Sequence, residues 1–502
     1  MDSLRILKHS ALATAIAILF ARGAFAAPSP EALAALGPKL ERIRVESDVP
    51  GMAVAMASHG KIVYQKGFGW ANREDRIPAT EDTMFSLASV SKPITATGVM
   101  TLVQAGKLGL DRPVNDYLGE VKLQARVGDG AQATVRRVAN HSAGLPWHYE
   151  YHFDNSSYRV PTLEETILHY GNLVTAPGER YQYSNLGYGI LGYVISRIAG
   201  VEFSSYMRRE VFLKLGMERT SVGIGAGLEK FAAVRYDVDG SPLAHYQPDT
   251  PGAGGIYSSA HDVIRFGMFH LKDHLADQQP ILSDASIDEM HRPTMKAESD
   301  PPTAYGMGWV VLEHPEGYHV VTHSGGMLGV ATDLILVPAE DLAVVVLTNG
   351  NGKGVAAAED LLIRTVLPKW KAIPDPPEHD PPRFDAPSML LGDWVGHVHT
   401  FVGDRPLRMR FLTDGQVVFR LGDQIASLVS KAQWTDGSFR GIARGELNTP
   451  DLARHEPYNL ELNLQARGAE LTGSVTAVGV EGVQSKRPFA LTHWTQLKKV
   501  SP

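Results

Sequence analysis

A serine and a lysine three residues apart, Ser89 and Lys92, are the residues of this sequence whose types and spacing best suit covalent chemistry. Residues three apart on a helix are neighbours, so a partly desolvated Lys92 could accept the proton of the Ser89 hydroxyl during attack on a carbonyl. The apolar segment that follows Ser89 and ends at Gly106 is typical of a buried helix with a glycine cap. The sequence therefore predicts a serine nucleophile at Ser89.

The same spacing also occurs at Ser58 and Lys61, so the pattern alone does not identify a site. These residues lie between two alternating apolar runs, 52–57 and 61–67, with Gly60 placed for a hairpin turn. We expect a hairpin to keep the two side chains apart. Helix geometry is thus the feature that separates the two matches.

Two further polar residues, Tyr183 and Asn185, precede a predicted helix and could face a cleft. A Tyr183 phenolate stabilised by Lys92 would be a competent proton acceptor, and the Asn185 amide could donate to a substrate carbonyl. Tyr170 and Asn172 repeat this spacing without the flanking loop pattern. We therefore assign the functional pair to Tyr183 and Asn185.

The segment His323-Ser324-Gly325-Gly326 lies between two predicted strands. A strand edge offers backbone N–H groups, and Gly326 permits close approach of the backbone because it has no Cβ. The N–H groups of Ser89 and Gly326 are predicted to form an oxyanion hole. Such a donor is worth about 3 kcal/mol in acyl transfer.

Composition sets limits on the class of protein. The chain has 502 residues, of which 44% are hydrophobic, so it can bury a large core in two or three domains. A net charge of −7 without basic clusters argues against nucleic acid or an anionic membrane as partner. The absence of cysteine excludes disulfides, thiol catalysis and thiolate metal sites.

Residues 1–26 are typical of a secretory signal peptide. Arg5 and Lys8 precede the apolar run 11–20, and Ala24-Phe25-Ala26 is a small-x-small cleavage pattern. A membrane anchor is the alternative, but the apolar run is too short to span a bilayer. We expect a periplasmic or secreted protein without stable membrane insertion after signal cleavage.

Strand and helix patterns divide the rest of the chain. Residues 27–367 have strand-like runs near both ends and helical patterns between them, which favours an α/β domain of the α+β type with one antiparallel sheet. Residues 368–387 are rich in proline and predict a stiff linker, with a loop inside one domain as the alternative. Residues 388–502 have strand patterns only, which predicts an antiparallel barrel or sandwich.

Taken together, these motifs resemble the penicillin-recognising serine hydrolases, which include class C β-lactamases, D-Ala-D-Ala carboxypeptidases, D-aminopeptidases and esterases. The resemblance covers roughly residues 38 to 367 and implies a five-stranded antiparallel sheet flanked by helices, with an inserted all-helical region. The C-terminal strands look like the lipocalin-like barrels of some relatives, with 391–396 as the nearest match. Further family-like segments are 85–92, 106–108, 110–111, 141–146, 181–188, 254–259 and 305–309.

By this resemblance Ser89 is the acylated nucleophile, Lys92 and Tyr183 share its proton and later activate water, and Asn185 positions the substrate amide. The opposite wall of the pocket would bind substrate through His323, Ser324 and Gly325. Most β-lactamases carry lysine at the first of these three positions. The permanent cation for a drug's carboxylate is therefore missing, and efficient β-lactam hydrolysis is not expected.

The sequence thus predicts a serine hydrolase that forms an acyl-enzyme at Ser89 and cleaves an amide in a short peptide, including peptides with D- or unusual residues. An esterase or β-lactamase of the same family is the alternative, and a non-catalytic penicillin-binding or sensor protein is the alternative of another class. A barrel that leans over the site, as in relatives, would limit substrate size. No cofactor and no metal are predicted, and the expected partner is a small molecule or short peptide.

Two groups of histidines have alternative interpretations. His397, His399 and Asp404 could form a zinc site or an ordinary polar group on the barrel surface, and the lack of further ligands at suitable spacing favours the latter. The other group is interpreted as polar loop residues or as part of a substrate rim. It consists of His141, His148 and His152.

Overall fold

The computed structural model of this protein describes residues 28–297, 302–373, 384–455, 457–480 and 488–500. The predicted signal peptide and residues 374–383 of the predicted linker lie outside these ranges. Within the described ranges, no helix combines the length and the apolar character needed to cross a membrane.

The α-helices of the described residues all precede residue 367. They are α1 (Pro30–Ala34), α2 (Leu36–Glu46), α3 (Ser91–Gln104), α4 (Val135–Ala139), α5 (Leu163–Tyr170), α6 (Asn185–Ala199), α7 (Phe203–Met207), α8 (Pro251–Gly254), α9 (Ala260–His270), α10 (Asp284–His291) and α11 (Val355–Val366).

The strands of the same part of the chain include several short ones. They are β1 (Gly51–Ser58), β2 (Lys61–Asn72), β3 (Ile77–Pro78), β4 (Phe85–Ser86), β5 (Gln124–Ala125), β6 (Tyr149–Phe153), β7 (Asn172–Leu173), β8 (Ser221–Val222), β9 (Tyr246–Pro248), β10 (Ile256–Ser258), β11 (Met295–Ala297), β12 (Thr303–Tyr305), β13 (Val310–Glu313), β14 (His319–Met327), β15 (Val330–Val337) and β16 (Leu342–Thr348).

The main sheet has the order β11-β12-β13-β14-β15-β16-β1-β2-β3, and its pairs are antiparallel. Five long strands, β14, β15, β16, β1 and β2, form the predicted five-stranded sheet, and four strands of two to four residues extend its edges. Every residue of β1 and β16 is buried because helices cover both faces. Helices α2 and α11 pack on one face and α9 on the other. The predicted joining of the two ends of this region in one sheet is confirmed.

The region between β3 and β11 is largely helical, but it is not all-helical as predicted. Short strands form a β4-β10-β8 sheet, a β5-β7 pair and a β6-β9 pair. Helix α3 is buried on nearly every side, since it packs against α6, α8 and α10. Buried residues occur along most of its length and include the polar Ser91, Thr95 and Thr97, which suits this central position.

The C-terminal strands form the predicted antiparallel barrel, which is nearly closed, in the order β20-β19-β18-β17-β25-β24-β23-β22-β21. Alternate residues of these strands are buried, as expected when one face of a sheet covers a core. The strands are β17 (Gly392–Thr400), β18 (Gly403–Phe411), β19 (Val417–Leu421), β20 (Ser427–Leu428), β21 (Ser430–Thr435), β22 (Ser438–Ala443), β23 (Tyr458–Arg467), β24 (Glu470–Gly479) and β25 (Phe489–Lys499).

One strand connects the barrel to the rest of the protein. Strand β6 pairs with β25 through Tyr149 and Glu150 on one edge, and with β9 on the other. The barrel sheet therefore continues into the helical region instead of touching it through loops alone.

Candidate active site

Ser89 lies in a single 3₁₀ turn, Ala88–Val90, that runs directly into α3. The residue before it, Ala88, has a φ of 46°, a left-handed conformation that is unusual for a residue with a Cβ. Such strained residues cluster at functional sites. The turn brings Ser89 and Lys92 together, with 3.0 Å between Ser89 Oγ and Lys92 Nζ.

Lys92 is completely buried, and its amine has three polar neighbours. Lys92 Nζ lies 2.8 Å from Asn185 Oδ1 and 3.0 Å from the carbonyl oxygen of Ala253, in addition to its contact with Ser89. Burial lowers the pKa of Lys92 well below its usual value. A neutral amine has two N–H groups and one lone pair. Asn185 Oδ1 and the Ala253 carbonyl accept hydrogen bonds from the two N–H groups, so the lone pair faces the Ser89 hydroxyl. The arrangement suits Lys92 to remove the proton of Ser89.

Tyr183 approaches Ser89 from the loop before α6. Its hydroxyl donates to Ser89 Oγ over 2.9 Å, and Lys92 Nζ lies 4.7 Å from its ring centre. Burial raises the pKa of Tyr183 above its usual value. The resting side chain is thus a phenol, not the phenolate predicted from the sequence, and it can supply a proton rather than remove one.

Asn185 is the first residue of α6, where the helix start fixes its direction. Ser184 caps the helix by accepting a hydrogen bond from the N–H of Gly187 over 3.1 Å. Because Asn185 Oδ1 accepts from Lys92, Asn185 Nδ2 is the amide's donor toward a substrate carbonyl.

His141 holds the loop that carries Tyr183, and the sequence interpretation of a polar loop residue missed this role. Its ring centre lies 4.4 Å from that of Tyr183, and its Nδ1 accepts from the N–H of Ser184 over 3.1 Å. The His141 carbonyl accepts from the N–H of Gln182 over 2.7 Å. The sequence signal is the segment 141–146, whose Gly144 has a φ of 85° and would place a Cβ 2.1 Å from the Thr175 carbonyl.

His323 is buried behind the site, with 3% of its surface exposed. Its Nδ1 lies 2.7 Å from the Ser324 carbonyl, which can only accept, so Nδ1 carries the proton and Nε2 accepts from the Tyr305 hydroxyl over 2.7 Å. Burial first, and the charge of Lys92 second, lower the pKa of His323 to about 3. His323 is therefore a neutral, structural imidazole.

Strand alternation places His323 and Gly325 on the buried face of β14, opposite to Ser324 and Gly326. Gly325 faces inward, where a Cβ would lie 2.3 Å from the Leu87 carbonyl, so it allows β14 to pack against the turn that carries Ser89. Ser324 is exposed. The side chains of His323 and Ser324 do not line the cavity at Ser89, contrary to the prediction, whereas Gly326 does.

Ser89 opens into a cavity of about 500 Å³, called here the serine cavity. Its rim has an aromatic wall of Trp147, Tyr149 and Tyr151. None of its described lining residues carries a charge. The remaining ones are Ser89, Tyr183, Asn185, Pro248, Thr250, Ala253, Gly254, Gly326, Met327, Leu328 and Pro488. The predicted oxyanion donors, Ser89 and Gly326, thus share one cavity.

The opposite face of β6 binds the barrel. Glu150, which is buried, accepts from Arg454 Nε over 3.0 Å and lies 2.7 Å from His455 Nε2 and 3.4 Å from His152 Nε2. Burial opposes ionisation, but the histidine contacts and the charge of Arg454 prevail and hold the pKa of Glu150 well below its usual value. The aromatic wall is therefore fixed from behind by charged groups of the barrel.

A second cavity of about 670 Å³, called here the barrel cleft, adjoins the first and shares Trp147 and Tyr183 with it. The outer faces of β21 to β24 form one side. Its other described lining residues are Arg180, Tyr181, Gln182, Lys431, Gln433, Arg440, Gly441, Ile442, Glu461, Leu462, Asn463, Ser474 and Thr476.

The competing pair, Ser58 and Lys61, occurs in the predicted hairpin. Contrary to expectation, the hairpin pairs the two residues directly across its strands. They nevertheless form no catalytic pair: Ser58 Oγ contacts His59 Nδ1 at 2.9 Å, and Lys61 is exposed to solvent.

The histidines of the barrel surface share one carboxylate. His399 Nδ1 lies 2.7 Å and His397 Nε2 3.5 Å from the side chain of Asp404. In the described part of the chain, no group of three or more histidine, aspartate or glutamate side chains is arranged to bind a metal ion.

Comparison with known sequences agrees with this geometry. The sequence model of the family described as Beta-lactamase matches residues 36–367. The chain belongs to the Beta-lactamase family. Penicillin-binding protein 4* of Bacillus subtilis is 28% identical over 303 residues, which cover 56% of this chain and 64% of that protein. Protein flp of Staphylococcus aureus is 23% identical over 390 residues, covering 76% of this chain and 75% of its own length.

Solved structures of other proteins share the fold. A penicillin-binding protein homologue from Pyrococcus abyssi, described as octameric, superposes with a TM-score of 0.58 at 21% identity, covering 93% of this chain and 99% of its own. The structure of SurE with D-Leu superposes with a TM-score of 0.62 at 20% identity, covering 92% of this chain and 100% of its own. A class C β-lactamase superposes with a TM-score of 0.57 at 19% identity, covering 68% of this chain and 98% of its own.

Proposed function

We propose that this protein is a serine hydrolase that forms an acyl-enzyme at Ser89 and cleaves amides in short peptides. One observation carries the proposal: Lys92 Nζ and Tyr183 Oη both lie within 3.0 Å of Ser89 Oγ at the mouth of the serine cavity. A nucleophile with a desolvated base and a protonated phenol has both partners that acyl transfer requires.

In the proposed acylation, Ser89 Oγ attacks the carbonyl carbon while its proton passes to Lys92. The developing oxyanion accepts hydrogen bonds from the N–H groups of Ser89 and Gly326. The C–N bond then breaks, the Tyr183 phenol gives its proton to the leaving amine, and protonated Lys92 restores that proton. Deacylation repeats the sequence with water as the nucleophile: Lys92 takes the proton of the water, the Tyr183 phenol gives its proton to the departing Ser89 Oγ, and protonated Lys92 restores it.

The serine cavity favours small uncharged groups at the scissile bond. Its aromatic wall offers apolar contact area, and Asn185 offers a donor for a substrate carbonyl. SurE, a protein of the same fold, was solved with D-Leu. For this reason, D-amino acid substrates belong in the test panel for this protein.

An esterase is the second candidate, because the described lining of the serine cavity offers no charge to an amine or carboxylate next to the reacting carbonyl. The neutral state of His323 argues against efficient hydrolysis of β-lactams, which carry a carboxylate. A non-catalytic binding protein would not need Lys92, Tyr183 and Asn185 together around Ser89. The predicted signal peptide leads us to propose that the reaction takes place outside the cytoplasm.

Two measurements test this function. Incubation with a fluorescent acyl-phosphonate, followed by peptide mass mapping, is expected to label Ser89. A panel of D-Ala-p-nitroanilide, p-nitrophenyl butyrate, nitrocefin and short linear peptides is expected to show turnover highest for a peptide amide and absent in Ser89→Ala. Labelling at Ser58, or turnover that survives Ser89→Ala, would contradict the mechanism, and turnover of the ester alone would favour the esterase.

A further inference from the structure

The barrel cleft holds an excess of positive charge beside an uncharged reaction cavity. Among the described lining residues, Arg180, Lys431 and Arg440 occur together with one carboxyl group, that of Glu461. Burial raises the pKa of Glu461, although the nearby Lys431 partly opposes this. The cleft therefore presents a positive potential to a ligand that extends out of the serine cavity.

A row of polar side chains crosses four strands in this cleft. Gln433 pairs with Arg440, Arg440 with Asn463, and Asn463 with Ser474. Cross-strand partners lie on the same face of a sheet, so all four side chains project toward the same side. The row is the floor of the cleft.

Lys431 enters the cleft through a distortion of its strand. The pairing of β21 with β22 is interrupted by a register shift between Ser430 and Gln433, and Lys431 has a φ of 50°. Bulges of this kind re-aim side chains and are frequent beside functional sites. A left-handed backbone conformation is unfavourable for a non-glycine residue. Its presence at Lys431 indicates a structural constraint on this residue that regular strand pairing would not need.

Two polar groups of the floor are left without partners inside the protein. The guanidinium of Arg440, which is exposed, forms no hydrogen bond or ion pair with another described residue. Asn463 Oδ1 is buried and has no hydrogen-bond partner among the described residues. A ligand carboxylate suits the Arg440 guanidinium, and a ligand amide N–H suits Asn463 Oδ1.

The two cavities meet at an exposed indole. Trp147 is 42% exposed and lines both the serine cavity and the barrel cleft, as does Tyr183. An extended ligand acylated at Ser89 could therefore pass over Trp147 into the cleft without leaving the protein surface.

We propose that the barrel cleft is a binding subsite for a carboxylate-bearing part of the peptide substrate, held by Arg440 and Lys431 at a distance from the scissile bond. The substrate class is thus a short acidic peptide, which deepens the proposed function and rests on it. The carboxylate would be recognised by the barrel and not by residue 323, where related enzymes usually have a cation.

The test uses fluorescein-labelled alanine hexapeptides with one Glu or one Gln at each position in turn. Binding to full-length Ser89→Ala is measured by fluorescence anisotropy at low salt. We expect the best Glu peptide to bind about tenfold more tightly than its Gln counterpart, as two charge-assisted contacts allow. This preference should disappear in Ser89→Ala combined with Arg440→Gln and Lys431→Gln.

Matched controls separate recognition from folding. Arg420→Gln makes the same chemical change at an exposed barrel residue outside the cleft and should keep the preference, while Arg440→Lys should keep part of it. Equal affinity for Glu and Gln peptides, no measurable binding of any Glu peptide, or a preference that survives the double cleft variant would overturn the inference.

Acyl-phosphonate labelling of Ser89 distinguishes the two proposals, because the phosphonate reacts at Ser89 and needs no carboxylate to do so. Labelling without a Glu preference overturns the subsite alone. A Glu preference that depends on Arg440, without labelling of Ser89, overturns the proposed function and leaves a binding site for acidic peptides.

Discussion

The serine cavity and the barrel cleft share Trp147 and Tyr183, but they differ in charge and in origin. The serine cavity has no charged side chain in its described lining, and its reactive groups lie on the helices α3 and α6 or directly before them. The cleft is charged, and most of its residues, including Lys431 and Arg440, come from barrel strands more than 200 residues further along the chain. The difference separates reaction from recognition: changes in the serine cavity should affect kcat, and changes in the cleft should affect KM.

The largest effect is expected from Lys92→Met. Without the base, the rate of Ser89 labelling by an acyl-phosphonate should fall by about a thousandfold or more, since Ser89 then has no acceptor for its proton. Lys61→Met is the matched control because Lys61 has the same spacing from a serine in the hairpin. A comparable loss in Lys61→Met would show that the two pairs are not functionally distinct.

Tyr183→Phe is expected to have the next largest effect. It removes a proton donor but leaves the base, so kcat for the best substrate should fall about a hundredfold with little change in KM. Tyr181→Phe, a neighbour that lines only the cleft, should leave kcat unchanged. A purely structural role of Tyr183 would instead lower the melting temperature of Tyr183→Phe along with its activity.

The pH dependence of labelling tests the state of the serine cavity. Lys92 must be neutral, so the rate should fall as pH decreases through its lowered pKa, and this acid limb should lie far below the usual lysine value of about 10.4. Tyr183 must be protonated for leaving-group departure, and its raised pKa puts the alkaline limb of substrate turnover above about pH 10. An acid limb near pH 10 would contradict a desolvated Lys92.

The smallest kinetic effect is expected from Glu150→Gln, which touches neither cavity directly. Loss of the buried charge beside Arg454 should destabilise the protein by about 3 kcal/mol at pH 7. It should also raise KM a few-fold, because the aromatic wall of the serine cavity is then held less firmly. Because the folded pKa of Glu150 lies below the unfolded one, its stabilisation is present above about pH 4.3 and disappears as pH falls through the folded value.

Thermal melts of wild type and Glu150→Gln across pH 3 to 8 measure that difference. Glu446→Gln, at an exposed position of the barrel, is the control and should melt like wild type. A melting difference that stays constant down to pH 3 would assign the effect to packing and not to charge.

The sequence was most informative where local backbone geometry determines which residues lie close together. The distance from Ser89 to Lys92 follows from helix spacing alone, and the assignment of Tyr183 and Asn185 to a loop and helix start was sufficient to place them nearby. The role of His323 was wrong because strand alternation decides which side chains of β14 face the cavity. The phenol state of Tyr183 depends on burial, which the sequence does not reveal.

The barrel was predictable as a fold but not as a wall of the site. Strand patterns indicated antiparallel strands after residue 388. Which outer-face residues meet depends on the pairing of β22 with β23 and on the bulge at Lys431. These features arise from the register of distant strands, so the sequence pattern gave no indication of Arg440 as a binding residue.

The pairing of β6 with β25 also bears on how the protein reaches its active form. The hydroxyl of Thr492 donates to the carbonyl of Trp147, a contact between residues 345 positions apart in the sequence. Contacts of such separation form slowly because a long loop must close first. The contacts of Ser89 with Lys92 and Tyr183 span only 3 and 94 positions, so during refolding the labelling of Ser89 should return before selective binding of acidic peptides does. Substrate selectivity would then be the last property that a newly made molecule acquires.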